Sequence, residues 1–307
     1  MAQYNFDVEK TTNELIQWIR DWFEKNGNRC KAVLGMSGGK DSTITAALLA
    51  KAIGSYNVIG VMMPDRFQEL NEADEICKYL GIKCIKAPIE NLTQAMRDTF
   101  IITEDVWILN EFSKQAEQNI PPRLRMTMLY AISQTLNGRV VNTCNYSENF
   151  IGYETIFGDS AGDFSPLGNL TVTEVLAIGD YLGLPEKWVH KTPDDGLPHS
   201  TSDEEKFGFT YAQLDEFIRG EGLPCNDLER KMADMHYNTS YKREPMATYK
   251  PNRELLYQDS IDAETNEAPI DDFCDDLSEE SIASVSLRVN STPLKEYYSR
   301  LEEEEEI

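Results

Sequence analysis

The chain has 307 residues, 41% of them hydrophobic, with 29 Lys/Arg against 53 Asp/Glu and a net charge of −24. That length accommodates one substantial α/β core and a small appendage, and so negative a field repels polyanions, which argues against tRNA or DNA as a partner. There is no eighteen-residue apolar run, no basic-then-apolar leader and no C-x-x-C pair among the cysteines at 30, 77, 84, 144, 225 and 274, so the expectation is a cytoplasmic protein with reduced thiols and no membrane span.

Residues 7–26 carry Leu15, Ile16, Trp18, Ile19, Trp22 and Phe23 at helical spacing, ending near Gly27, which predicts a helix packed on a sheet or on a second subunit. Residues 32–53 read as strand, glycine turn and helix in direct succession. The apolar run 32–36 leads into Ser37-Gly38-Gly39, and Asp41-Ser42-Thr43 offers N-cap chemistry before a buried helix over 44–53. A strand, a glycine turn and a helix N-terminus make an anion site, because unpaired N–H groups and the positive dipole end face outward. The turn is not a Walker A loop, since Leu34 stands five residues before Gly39 and Asp41 follows Lys40. Asp41 beside a phosphate makes sense with Mg2+ between them, an ion that takes one or two carboxylates plus substrate phosphates. A plain glycine turn capped by Asp41 or Ser42 is the bland alternative. The stretch Ser37-Gly38-Gly39-Lys40-Asp41-Ser42 resembles the SGGxDS pyrophosphate loop of the ATP pyrophosphatases, which adenylylate a substrate and release pyrophosphate.

Further on, residues 56–63 and 82–89 read as strands, and 71–80 and 92–100 as helices. This alternation predicts an α/β fold, a doubly wound parallel sheet flanked by helices, with ligands beyond the carboxyl ends of its strands. Residues 106–137 are helical in character with an interruption expected at Pro121-Pro122. Arg123 and Arg125 just past it point to different helix faces, so at most one is expected on a given ligand group. A strand over 139–145 delivers Thr143, Asn145, Ser147 and Glu148, and the glycine-rich stretch 152–163 reads as a functional loop. Residues 187–209 read as a lid or a solvated loop, and 211–219 and 227–235 as helices. From 258 to 307 there are 16 Asp/Glu against Arg288, Lys295 and Arg300, a solvated and partly disordered acidic extension after a first domain spanning 1–257.

Several spaced motifs then agree in order: Asn119-x-x-x-Arg123-x-Arg125-Met126, Thr143-x-x-x-x-Glu148, Gly158-Asp159-x-x-x-Asp163 and Pro166-Leu167, with Leu182-Gly183-Leu184-Pro185 and Gly208-Phe209-Thr210-Tyr211 behind them. From about residue 15 to 251 the chain resembles the ammonia-dependent NAD synthetases. The resemblance implies that Gly35, Met36, Ser37, Gly38, Gly39, Lys40, Asp41 and Ser42 cradle ATP, that Thr143 contacts it, and that Asp41 and Glu148 bind Mg2+. It also implies that Arg123 and Asp163 hold deamido-NAD, that Asp159 accepts a proton from incoming ammonium, and that Lys242 reaches the dinucleotide. The chain departs from the family at Ile156 and Val172, where lysines are usual, at Asp194, where the binding position carries Thr, and at Tyr241, where a His precedes Lys242. Lys40 is expected to neutralise phosphate charge in place of the lysine absent at 172.

What the resemblance implies chemically is attack of the nicotinate carboxylate on the α-phosphate, departure of pyrophosphate, and capture of the mixed anhydride by ammonia. Some thirty residues precede the loop, too few for an amidase domain, so free ammonia is the expected nitrogen source, and the family's homodimer is the expected assembly. Two rivals remain at this stage. One is another adenylylating amide ligase, like GMP synthetase, which the 158–163 pattern does not suit. The other is a nucleotide-binding interaction protein that has lost catalysis, prompted by Ile156, Val172 and Asp194.

Overall fold

A computed structural model describes residues 5–66, 71–101, 112–191, 203–220 and 226–249. Its elements begin with α1 (Val8–Asn26), β1 (Lys31–Gly35), α2 (Lys40–Ile53), β2 (Val58–Met62), α3 (Asn71–Leu80), β3 (Lys83–Lys86), α4 (Glu90–Ile101), α5 (Lys114–Thr135) and β4 (Gly138–Val140). There follow α6 (Tyr146–Phe150), α7 (Val172–Tyr181), α8 (Glu186–Val189), α9 (Asp203–Phe207), α10 (Tyr211–Arg219) and α11 (Asp227–Asn238). A compact unit ends at Met246, and of the unit that begins at Ala247 only residues 247–249 are described. The expected boundary at 257 and the acidic extension therefore lie outside the described residues.

The sheet is parallel throughout, in the order β3-β2-β1-β4. Its two faces follow from alternation along the strands. Ala32, Leu34, Val58 and Met62 face a cluster with Ile19, Phe23, Ile44, Leu48, Val175, Ile178 and Trp188, whereas Val33, Ile59 and Val61 face Met126 and Leu129 of α5. Both faces are covered, as a parallel sheet requires. On β2, Gly60 is needed for packing: a Cβ there would stand 2.6 Å from the Met36 side chain and 3.1 Å from Cys77 Sγ. The chain runs from β1 outward through β2 and β3, then returns to the other side of β1 for β4. The strand order thus reverses at the crevice between β1 and β4, the place where such sheets bind ligands.

Three expectations need correcting. Helix α5 continues through Pro121 and Pro122 without interruption. Each proline removes a backbone donor, but Ile120, Met126 and Leu129 are buried on this helix, and packing on the second sheet face outweighs the local preference. The start expected at 106 lies outside the described residues; Ser113 caps the helix by accepting from the Ala116 N–H at 3.2 Å. The strand expected over 139–145 stops at Val140, with a single bridge from Val141 to Phe164. Beyond it the Asn142 side chain replaces the ladder, donating to the Asp159 and Ala161 carbonyls (2.7 and 3.1 Å) and accepting from the Cys144 N–H and the Ser165 hydroxyl. The N-cap of α2 is Gly39, not Asp41 or Ser42, both of which sit in its first turn.

A helical subdomain packs Ile151, Val172, Phe207, Phe209, Tyr211, Leu214, Phe217 and Met232 together. Buried Asp215 of α10 ties it to α6 and α7: its carboxylate accepts from the Thr173 N–H and hydroxyl, both at 2.7 Å, and from the Ser147 hydroxyl. Ser147 in turn accepts from the Val172 N–H at 3.0 Å. Asp215→Ala leaves the buried Ser147 hydroxyl and the Thr173 donors without their acceptor, and stability in urea should fall by about 2 kcal/mol. An unchanged unfolding midpoint would refute that assignment.

Candidate active site

The turn after β1 is shaped by backbone sterics. Met36 stays in the sheet through its N–H to the Val61 carbonyl (2.8 Å), and Gly38 takes φ +83°, where only glycine is at ease. Gly39 then caps α2 without any side chain to occupy the first-turn N–H groups. The hydroxyls in that turn look inward: Ser42 and Thr43 donate to the Gly39 carbonyl at 3.0 and 2.8 Å, and Ser37 Oγ accepts from the Gly39 N–H. The open donors and the positive end of α2 thus face the crevice.

Two carboxylates meet at this point. Asp41 accepts from Lys40 Nζ at 3.0 Å through one oxygen and from Asn145 Nδ2 at 3.2 Å through the other. Asn145, wholly buried, also caps α6: its Oδ1 accepts from the Glu148 N–H (3.1 Å), and its own N–H donates to Glu148 Oε2 (3.4 Å). One asparagine therefore positions the acid after β1 and the acid after β4. Burial, then the charge of Asp41, pushes the Glu148 carboxyl up to about 8, with the Lys40 ammonium pulling the other way. Lys40 is penalised by its own burial, yet the carboxylates of Asp41 and Glu148 outweigh that and raise it above an ordinary lysine.

A buried acid whose carboxyl is pushed up by burial and by a second acid beside it is a place prepared for positive charge. Among the described residues no group of three or more His, Cys, Asp or Glu forms a cage. This donor set fits Mg2+, which needs one or two carboxylates and completes its shell with phosphate oxygens and water. Glu148 also fixes a pH dependence. Its folded value lies above that of the unfolded chain, so its contribution to stability is full below about 4.5, the ordinary carboxyl value, and is lost as pH rises through about 8. Urea midpoints in EDTA should fall across that window, and Glu148→Gln should flatten the slope.

The 152–163 loop closes the other side. Asp159 is exposed, and its Oδ1 accepts from the Thr155 N–H at 2.9 Å. The Asp159 carbonyl accepts from Cys144 Sγ at 3.2 Å. Burial first, then the surrounding carboxylates, holds that thiol well above its usual range, so Cys144 is no nucleophile. Arg123 is exposed and donates to the Ile156 carbonyl (3.2 Å), while Arg125 donates to the Met63 carbonyl at the end of β2 (3.1 Å). The two arginines do diverge, and it is half-buried Arg125 that lies within reach of the Asp65 and Asp159 charges. Asp163 bonds the Val140 N–H (2.7 Å) and the Tyr130 hydroxyl (3.3 Å), fastening the loop to the edge of β4. Lys242 donates to the Gly152 and Glu154 carbonyls at 2.7 and 2.8 Å, latching the same loop from the other end.

The Asp41–Asn145–Glu148 bonds thus bring the 35–42 turn and Glu148 together at the β1/β4 crevice, with Asp159 on the adjoining loop and half-buried Thr143 two residues before Asn145. Asp163 and Lys242 spend their polar atoms within the protein. Asp194 lies outside the described residues, as do residues 192–202 of the expected lid. At the departures from the family pattern, Val172 is buried in the helical subdomain and Tyr241 is 64% exposed. Sequence reasoning named Asn145 only as delivered by a strand and missed its bridging role. The Asn145/Glu148 spacing of a capping box was the signal available.

The family model for NAD synthase matches residues 11–249. The NH(3)-dependent NAD(+) synthetase of Methanococcus aeolicus is 37% identical over 218 residues, 69% of this chain and 82% of that protein. Its counterpart in Archaeoglobus fulgidus is 32% identical over 245 residues, 78% and 95% of the two chains. Among solved structures, an NMN synthetase from Francisella tularensis superposes with a TM-score of 0.70 at 29% identity, covering 81% of this chain and all of that one. An NH3-dependent NAD synthetase from Campylobacter jejuni gives 0.63 at 26%, covering 80% of this chain and all of that one.

Proposed function

The chain belongs to the NAD synthase family, ammonia-dependent ligases that use ATP as co-substrate, and we propose that it amidates deamido-NAD to NAD through an adenylate. A carboxylate resists ammonia because its oxygen is a poor leaving group. Attack of the nicotinate carboxylate on the α-phosphorus breaks the bond to pyrophosphate. Ammonia then adds to the activated carbonyl, AMP leaves, and the excess proton passes to a carboxylate, a role that the exposure of Asp159 supports. The protein's work is alignment and water exclusion, with no covalent nucleophile. The N–H groups at the start of α2 receive the phosphates, and Asn145 orients Asp41 and Glu148 to hold Mg2+. When bound, that ion neutralises charge on the departing pyrophosphate.

The observation that carries this reading is the convergence of Asp41 and Glu148 on Asn145, next to the uncapped start of α2. The test uses deamido-NAD labelled with 18O in its carboxylate, with ATP, Mg2+ and ammonium. One labelled oxygen should appear in AMP. Amide formed with unlabelled AMP would remove the adenylate. The Francisella match prompts a second acceptor, nicotinate mononucleotide, which presents the same carboxylate without the adenylyl half. A comparison of kcat/KM for the two acceptors, with xanthosine monophosphate as a control, ranks them. A two-subunit assembly belongs to this reading, and light scattering at a single mass of 34.9 kDa would remove it.

A further inference from the structure

Tyr211 has no part in the chemistry derived so far, yet it occupies the same pocket. It is 7% exposed, and its hydroxyl has no hydrogen-bond partner among the described residues. Three contacts place it. The Lys40 ammonium lies 5.8 Å from the centroid of its ring. Its N–H donates to Glu204 Oε1 at 2.8 Å, which fixes the start of α10 against α9. Asp215, four residues on and so on the same helix face, bonds Ser147, the neighbour of Glu148.

The acceptors nearby are already engaged by other donors. Asp41 is bonded by Asn145 and Lys40, and Glu148 Oε2 by the Asn145 N–H. Lys40 has three N–H donors, one of which goes to Asp41. Around this point the protein therefore presents the Tyr211 O–H, spare Lys40 donors and the open N–H groups of α2, while both Asp41 oxygens and Glu148 Oε2 already accept from protein donors. An unpaired buried hydroxyl is destabilising and asks for an acceptor. Donors that outnumber acceptors ask for an oxygen-rich anion.

We propose that Tyr211 is a further ligand of the nucleotide: its ring lies against the Lys40 ammonium, and its hydroxyl donates to an oxygen of the pyrophosphate half, beside the cation held by Asp41 and Glu148. This rests on the reading that places ATP at those acids. Burial, followed by the charges of Glu148, Asp203 and Asp41, holds the phenol above its ordinary range, so it stays a donor at any working pH.

The test is calorimetric titration of the full chain with inorganic pyrophosphate plus Mg2+, and with α,β-methylene-ATP, for the wild type, Tyr211→Phe and Asp41→Asn. Tyr211→Phe keeps the ring over Lys40 and removes only the hydroxyl. Both affinities should fall about tenfold, the effect of one hydrogen bond to a charged oxygen, while the ligand-free Tm holds or rises because an unpaired buried group has gone. Affinities within about twofold of wild type, with Asp41→Asn losing binding, overturn the Tyr211 assignment and leave the site standing. Unchanged binding in Asp41→Asn removes the site itself and the proposal with it. Weakened binding accompanied by a Tm drop of several degrees makes Tyr211 a packing residue and also overturns the proposal.

Discussion

Asp41→Asn should lower kcat/KM for ATP by a factor on the order of a thousand, with circular dichroism unchanged. The amide matches the carboxylate in size, so the turn, the Gly39 cap and the β1–α2 geometry persist. What is lost is charge. Asp41 is the partner of the Lys40 ammonium at 3.0 Å, and an asparagine would set a second donor against it or turn its carbonyl to Lys40 and abandon Asn145. The acid pair also falls to Glu148 alone, whose carboxyl is already pushed up by burial. Metal dependence is the informative readout: the Mg2+ concentration for half-maximal rate should rise together with the KM for ATP. Activity within tenfold of wild type would mean that the cation and the triphosphate bind elsewhere.

Asn145→Ala ranks second, with an expected loss of about a hundredfold in kcat/KM and about 2 kcal/mol in stability. The activity loss follows from two side-chain bonds broken together, one orienting Asp41 and one capping the helix that carries Glu148. Asn145→Asp separates the two roles. An aspartate still caps α6 by accepting from the Glu148 N–H, but it meets Asp41 as a like charge where a donor stood. Stability near wild type with activity still lost would support the bridging role. If both variants keep full activity, the acids are held by something other than Asn145.

How much of the site was legible follows from which features are local. The glycine turn depends on backbone rules that act over a few residues and stands where the residue pattern placed it, whereas Asp41 sits inside the first turn of α2 rather than at its N-cap. The same local reasoning predicted a break at Pro121-Pro122 and a strand through 145, and both yielded to tertiary contacts. Apolar packing carries α5 past its prolines. The side chain of Asn142 takes over from the ladder after Val140. Lys242 donates to the carbonyls of residues 152 and 154, and Asp163 accepts from the Val140 N–H, contacts between distant segments that no local pattern announces.

The alternation of strands and helices from α1 to β4, the glycine turn and the family were legible in residue pattern alone, because hydrophobic period, glycine geometry and motif spacing are properties of neighbouring residues, whereas helix α7 was not foreseen. The resemblance assigns Asp41 and Glu148 to one Mg2+, but their joint hold on Asn145 was not legible, since more than a hundred residues separate the two acids and only the reversal of strand order at β1 brings their loops to one crevice. The same holds for Tyr211, whose ring comes within 5.8 Å of the Lys40 ammonium on a helix that buried Asp215 clamps to α6 and α7. Charges and donors separated this widely in the chain acquire their energies from burial and mutual distance, and only the folded molecule sets either one.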